Sequence, residues 1–510
     1  MSALPQQPIR REKQRFDHEG RMRRAMRVAI AEGVLASASD NFAGPYLSLY
    51  ALALGATHAQ IGLVNAVPAL LTNVLQIPSA VLTDRIGRRK ALTVIGGFGL
   101  RFTWLPIALI PLVVPQGWSA VLALIVFLVL RSAFGALAVP AWTSLMADMI
   151  PRRMRGAYFS NRNILINFAA LGATLLSGLI LRVFRDPLGY QVTFLAAALC
   201  GAAAAYVFRL FPDPDVDAAR RANSPAKPPE RKEAASSGQR VERKAPAEAG
   251  ERSWLAALRR EKSYTAYALT SALWNFGVTL PQPLFAVYFV ESLGGSASFW
   301  GVVTAATFVT TILGQRYWGR LTDRIGTRNV LVASGVLAAM IPGFWFVAFR
   351  PEHALWINLA SGLGWAGFNL AAFNLLLEVT PDRGRATFVA GYNALIGVAN
   401  FAGPLLGGVA ADIFGVRPIF FTSTLVRLLA WSLFAFRVKT AFDLPFVWRE
   451  LWPLPKGAAK HLAVALVQAP VRLVRRVHTW RLERAIRKKA IERLVEQAAR
   501  QSENSEEPGA

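Results

Sequence analysis

The chain has 510 residues, of which 54% are apolar and only 17% charged, against about 25% charged in a soluble globular domain. The formal net charge is +26, yet Lys and Arg gather in tails and short clusters between long apolar stretches, a distribution that argues against a nucleic-acid surface and for the basic loops of a membrane protein. A single cysteine, Cys200, five scattered histidines and the lack of a Ser/His/Asp or phosphate-cradling Gly motif argue against disulfides, metal sites and enzymatic chemistry, so neither metal nor cofactor is expected.

In chain order, residues 1–26 are polar and basic, with Arg10, Arg11, Lys13, Arg15, Arg21, Arg23 and Arg24. They are too long and polar for a cleaved signal peptide and read as a cytoplasmic tail. Apolar stretches of about 20 residues, enough to cross a bilayer core about 30 Å thick, then recur near 27–54, 59–83, 90–113, 119–148, 158–182 and 190–211. Residues 212–262, containing PDPDVD and KPPERKEAASSGQR, read as a flexible linker with a short surface helix near 254–262. Six more stretches fall near 264–291, 298–321, 328–349, 354–379, 386–412 and 417–437. The expected fold is all-α and polytopic, with two pseudo-symmetric six-helix bundles at 27–211 and 263–438.

Twelve spans put both termini on one side. Loops on that side hold twelve Lys/Arg, among them Arg85, Arg88, Arg162, Arg324 and Arg328, against four on the other, so that side is cytoplasmic. The two halves also repeat one another. Shifted by 239 residues, LTDRIG at 82–87 falls on LTDRIG at 321–326, and Gly62, Arg89 and Gly96 meet Gly301, Arg328 and Gly335. With a different shift, DMIPRRMRGAYFSNRN at 148–163 lines up with EVTPDRGRATFVAGYN at 378–393. Parallel six-span halves about a central pathway are a secondary-transporter plan.

The stretch AVLTDRIGRRK at 80–90 resembles the loop motif Gly-x-Leu-x-Asp-Arg-x-Gly-Arg-Arg of the major facilitator superfamily, with Ala80 in place of the first Gly; GRLTDRIGTRN at 319–329 keeps that Gly as Gly319. The resemblance covers roughly 25–440 and implies transport by alternating access. In that reading Gly87 and Gly326 permit tight turns. Asp84, Arg85, Arg88, Asp323, Arg324 and Arg328 act as cytoplasmic latches, with Asp148 and Glu378 as nearby acids. Asp84 can face the positive N-terminus of the eleventh span. Arg89 and Lys90 are read as lipid-facing loop cations. Two weaker patterns are LRSAFG at 130–135, with Phe134 where proton-coupled members carry Gln, and GPLLGG at 403–408, a sequence suited to close helix packing.

Charges inside spans are expensive and functional by default. Asp40 lies near the middle of the first span and Arg131 near the middle of the fourth, so the family fold implies that they meet. Two readings stay open: proton coupling by Asp40, or a static ion pair that fixes packing. Glu32 is a second candidate for proton coupling and, nearer the cytoplasmic end, is expected to be hydrated. Arg101 either pairs with Asp40 or anchors its half. Aromatic and amide side chains on spans that line the cavity of the family fold are Phe42, Tyr46, Tyr50, Trp274, Asn275, Gln282, Trp365 and Asn369; they suit an amphiphilic or weakly cationic solute, and each also fits plain helix packing.

Residues 439–510 read as a basic tail whose stretch from 471 to 498 is amphipathic, suited to anionic lipid head groups or to a partner protein. The expected protein is a monomeric, multi-pass inner-membrane transporter of a small organic solute and protons. Proton-linked export leads, uptake of a neutral solute such as a sugar is the alternative, and a sensor or scaffold acting through the tail is the reading from another class.

Overall fold

The computed structural model describes residues 6–150, 152–184, 186–213, 261–380 and 385–437. The C-terminal tail, most of the linker and the surface helix expected near 254–262, save its last two residues, lie outside the described residues.

Twelve helical rods follow one another. The first comprises α1 (Gln6–Ala43), a 3-10 turn (Gly44–Tyr46) where Pro45 withdraws a backbone donor, and α2 (Leu47–Ala53). α1 begins at Gln6, so the basic stretch before residue 27 continues helically into the first span. Next come α3 (His58–Ile86), then α4 (Arg89–Phe102) with α5 (Trp104–Val113) after a break at Thr103, then α6 (Trp118–Met149), α7 (Arg152–Val183) and α8 (Leu188–Arg209). The second half opens with α9 (Lys262–Thr279) and α10 (Leu284–Glu291), separated by Pro281 and Pro283. It continues through α11 (Ala297–Ile325), α12 (Thr327–Phe346), α13 (Pro351–Val379), α14 (Arg385–Phe414) and α15 (Val416–Arg437).

Among the described residues nine helices are long and apolar enough to cross a bilayer. The first and seventh rods fall short of that measure, because Glu32 and Asp40 lie in the one and a proline break shortens the other. Both nevertheless pack inside the bundle.

The packing repeats. In the first half α1 lies on α7 and α8, α3 and α4 lie on α6, and α4 on α8. In the second half α9 lies on α14 and α15, α11 and α12 lie on α13, and α12 on α15. The halves meet where α3 packs on α14 and α7 on α11, positions that a pseudo-twofold exchanges. Both turns of the doubled motif place a glycine at positive φ, 68° at Gly87 and 82° at Gly326, and their N–H groups bond Thr83 O and Thr322 O. Their ψ differs, −9° at Gly87 and 160° at Gly326, so the chain leaves the two turns differently. A positive φ is open to glycine without the Cβ clash that other residues meet.

The α3–α14 seam is drawn close by small residues. A Cβ on Gly62 would come 2.4 Å from Pro404 O, and one on Gly408 would come 2.4 Å from His58 O. The GPLLGG pattern therefore serves helix packing, as its small residues imply. These contacts lie toward the end opposite the doubled motif. At the motif end of α3, Val81, Leu82 and Ile86 are exposed.

Candidate functional site

Two clusters of charge occupy the first half. In the first, Arg131 Nη2 donates to Asp40 Oδ1 at 2.5 Å, its Nη1 donates to Leu100 O, and its guanidinium lies 4.2 Å over the Trp104 ring. The arginine is thus held by α1, by the end of α4 and by an aromatic face. Its side chain is 14% exposed, whereas that of Asp40 is 48% exposed. The carboxylate is the more exposed member of the pair, and Arg131 has two partners besides it.

The second cluster corrects the expected places of Glu32, Arg101 and Arg162. Glu32 is not hydrated: its side chain is 8% exposed, Arg101 Nη2 donates to it at 3.0 Å, and Arg162 Nη2 stands 3.6 Å away. Arg101 therefore anchors Glu32 and does not pair with Asp40. Arg162, counted above as a loop cation, lies inside the bundle because α7 starts ten residues earlier. There it donates to Ala29 O at 3.2 Å and stacks 4.9 Å from Trp142. Gly33 makes this possible, since a Cβ there would sit 2.6 Å from Arg162 Nη2.

The aromatic expectations divide. Phe42, Tyr46, Tyr50 and Trp274 are buried in packed protein. Tyr46 and Tyr50 spend their hydroxyls on Thr174 O and Ile107 O, and Trp274 stacks on Phe368 at 4.3 Å. The physical reason is that a large ring gains more by filling a helix interface than by standing in an open cleft. Trp365 is half-buried, 6.2 Å from Trp274; Asn275 bonds Ser271 O; Gln282 and Asn369 are exposed.

At the motif end Arg85, Arg88, Asp323 and Arg324 are exposed, and Gly319 lies partly buried within α11. Glu378 accepts from Thr327 at 2.9 Å, and Arg328 donates to Ala435 O, which ties α12 to α15. The side chains of Asp84 and Asp148 lie outside the described residues.

Sequence reasoning missed a cluster that joins the halves at the opposite end. Asp412 of α14 accepts from the backbone N–H of His58 and Ala59, at 3.0 and 2.9 Å, and so caps the first turn of α3 from the other half. The His58 ring stands between Asp412, at 2.9 Å, and Glu291, at 3.2 Å. The partners lie up to 354 positions apart, so no local pattern announces them.

Two repeated six-rod halves with charge pairs among the rods define a polytopic helical membrane transporter. The model of the Major Facilitator Superfamily matches residues 33–281 and 267–446. The chain belongs to that superfamily, whose members carry small-molecule solutes as secondary transporters and not as enzymes. It is 30% identical over 173 residues to the multidrug resistance protein MdtG of Dickeya zeae (strain Ech586), covering 32% of this chain and 41% of that protein. It is 29% identical over 202 residues to MdtG of Enterobacter lignolyticus (strain SCF1), covering 38% and 45%. The chain thus spans less than half the length of these relatives. Its fold is like that of a D-xylose-proton symporter, with TM-score 0.62, 14% identity, and 83% of this chain and 99% of that one covered. It is also like that of the nucleoside transporter NupG, with TM-score 0.59, 12% identity, and 82% and 99% covered.

Proposed function

We propose that the chain is a proton-linked exporter of amphiphilic organic compounds in the inner membrane, with its motif end and both termini in the cytoplasm. The observation that carries this reading is the asymmetric exposure of the Asp40–Arg131 pair. Asp40 loses Arg131 on protonation, and Arg131 stays in place on Leu100 O and Trp104. Protonation state and local charge therefore change without dismantling the bundle. The names of the partial relatives support drug export as the substrate class.

The far-end seam and the exposed motif end of α3 support a conformation open toward the cytoplasm. In this reading solute enters from that side while Asp40 is ionised. Opening of the far-end seam then exposes the pair to external protons, and protonation of Asp40 accompanies solute release. The doubled motif acts as two latches that form when the cytoplasmic ends close, with Asp84, Asp148 and Glu378 as their acids.

The test is solute-driven proton flux in proteoliposomes with Asp40→Asn. The expected outcome is loss of proton-linked flux, with solute exchange and membrane insertion retained. Unchanged proton flux would overturn the coupling role. Absence of flux for any solute, together with capture of a partner by residues 439–510, would favour the scaffold reading.

A further inference from the structure

A cleft of about 900 Å³ opens on the outside of the first half, between α4, α5, α6 and α8. It shares α4 with the charge clusters. Leu100 O and Arg101 serve those clusters, whereas Phe98 and Phe102, stacked at 5.2 Å, line the cleft. Its floor is α8, where the small side chains of Ala202 and Ala205 leave room that bulkier ones would fill. Phe134 of α6 closes the inner wall against Gly99.

The depth and the mouth specify what fits. On α4 and α5 the lining runs from Val94 to Pro106, about 18 Å at the helical rise per residue. That is close to half of a hydrocarbon core of about 30 Å, the reach of one leaflet. The wall is apolar until the motif end of α8, where Tyr206 and Arg209 stand exposed at the rim. Arg209 has no acidic partner among the described residues. An apolar slot one leaflet deep, with a tyrosine and an unneutralised arginine at its mouth, complements an acyl chain below an anionic head group.

We propose that this cleft is a specific site for an anionic phospholipid of the motif-side leaflet, with an acyl chain between Phe102, Phe134 and Ala202 and its phosphate on Arg209. The bound chain supports the bend at Thr103, beside the Leu100 carbonyl that holds Arg131, so occupancy braces the coupling pair from outside. The site stands whether the protein exports or imports.

The test uses the purified full-length chain with phosphatidylglycerol or phosphatidylcholine added to detergent. Bound lipid is counted by native mass spectrometry, and the unfolding midpoint is followed in parallel. The wild type is expected to retain one phosphatidylglycerol in preference to phosphatidylcholine and to gain thermal stability from it. Arg209→Gln, an exposed change that leaves the fold intact, should weaken phosphatidylglycerol binding about fivefold, as the loss of one basic side chain at an anionic head group implies. Ala202→Trp, which fills the slot, should abolish the bound lipid; Ala202→Leu is the milder form if the larger ring prevents folding. Equal stabilisation by both lipids, or an unchanged phosphatidylglycerol count in Arg209→Gln and the filled variants, overturns the proposal and leaves ordinary boundary lipid. Retention of a non-lipid amphiphile in place of phosphatidylglycerol overturns it as well.

Discussion

The two halves share one packing plan but bury their arginines in different company. In the first half Arg101 and Arg162 close on Glu32, and Arg131 closes on Asp40. In the second half Arg427 is fully buried and meets carbonyls: Gly277 O at 3.2 Å, Ala338 O at 3.0 Å and Val278 O at 3.3 Å. Two of those carbonyls lack their helical donor for a sequence reason. The residues four positions on from Gly277 and Ala338 are Pro281 and Pro342, which have no N–H. Arg427 supplies the missing donor at Ala338 and shares Gly277 O with Ser423 Oγ, which donates at 2.6 Å, so it stitches two proline-broken rods together. A carboxylate partner can take up a proton and a carbonyl cannot. Among the described residues, the carboxylates that pair with arginine inside the bundle therefore lie in the first half, while the buried arginine of the second half is a strut between carbonyls.

The comparison breaks first at Glu32. Glu32→Leu leaves Arg101 and Arg162 buried beside each other without their shared anion. Removing one member of a buried charge set costs about 3–5 kcal/mol. The expected outcome is a large fall in the unfolding midpoint, with Glu32→Gln intermediate because it keeps a hydrogen-bond acceptor. A neutral result for Glu32→Leu would mean that water reaches this cluster.

Arg427→Met should cost less, about 1–3 kcal/mol, because the buried charge goes together with its bonds and, with Gly277 O still held by Ser423 Oγ, only the Ala338 carbonyl is left without a donor in place of its missing helical one. The sharper form is the double variant with Pro342→Ala, which restores an N–H to Ala338 O. Partial recovery of the midpoint is expected. If the single loss is as large as that of Glu32→Leu, or the double variant recovers nothing, Arg427 is not acting on the proline gaps.

The contrast also explains what could be read beforehand. The spans and the doubled turn were legible because each is carried by local hydropathy or by a repeat. That Asp40 and Arg131 need partners follows from isolated charges in apolar spans, but that they meet each other was implied only by the family resemblance. Glu32 with Arg162 was not legible, because Arg162 follows a run of basic loop residues and only the early start of α7 brings it inside. Burial of Tyr46 and Trp274 depends on which side of a helix meets a neighbour, which composition does not state. Arg427 passed unnoticed although Pro281 and Pro342 were in view, since the geometry that brings the twelfth rod against the seventh and ninth is tertiary.

The smallest expected effect tests whether the halves are also joined unequally at their two ends. Asp412 caps α3 from across the seam, and a helix cap contributes about 1 kcal/mol. Asp412→Asn keeps the shape but weakens the anionic caps on His58 and Ala59. Because the cap spans the two halves, its loss should appear less in the unfolding midpoint than in the balance between closed and open far ends. With Cys200 replaced by Ala and a single thiol introduced by Ser298→Cys, where the first turn of α11 meets α7 at the same end, labelling by a membrane-impermeant maleimide should quicken about fivefold in the Asp412 variant, the ratio that about 1 kcal/mol produces. The same thiol should label at an unchanged rate when Asp323 at the motif end is replaced by Asn, since that carboxylate is exposed and bridges nothing across the far seam. Equal labelling in all three backgrounds would mean that the glycine contacts of Gly62 and Gly408 hold the seam without help from Asp412.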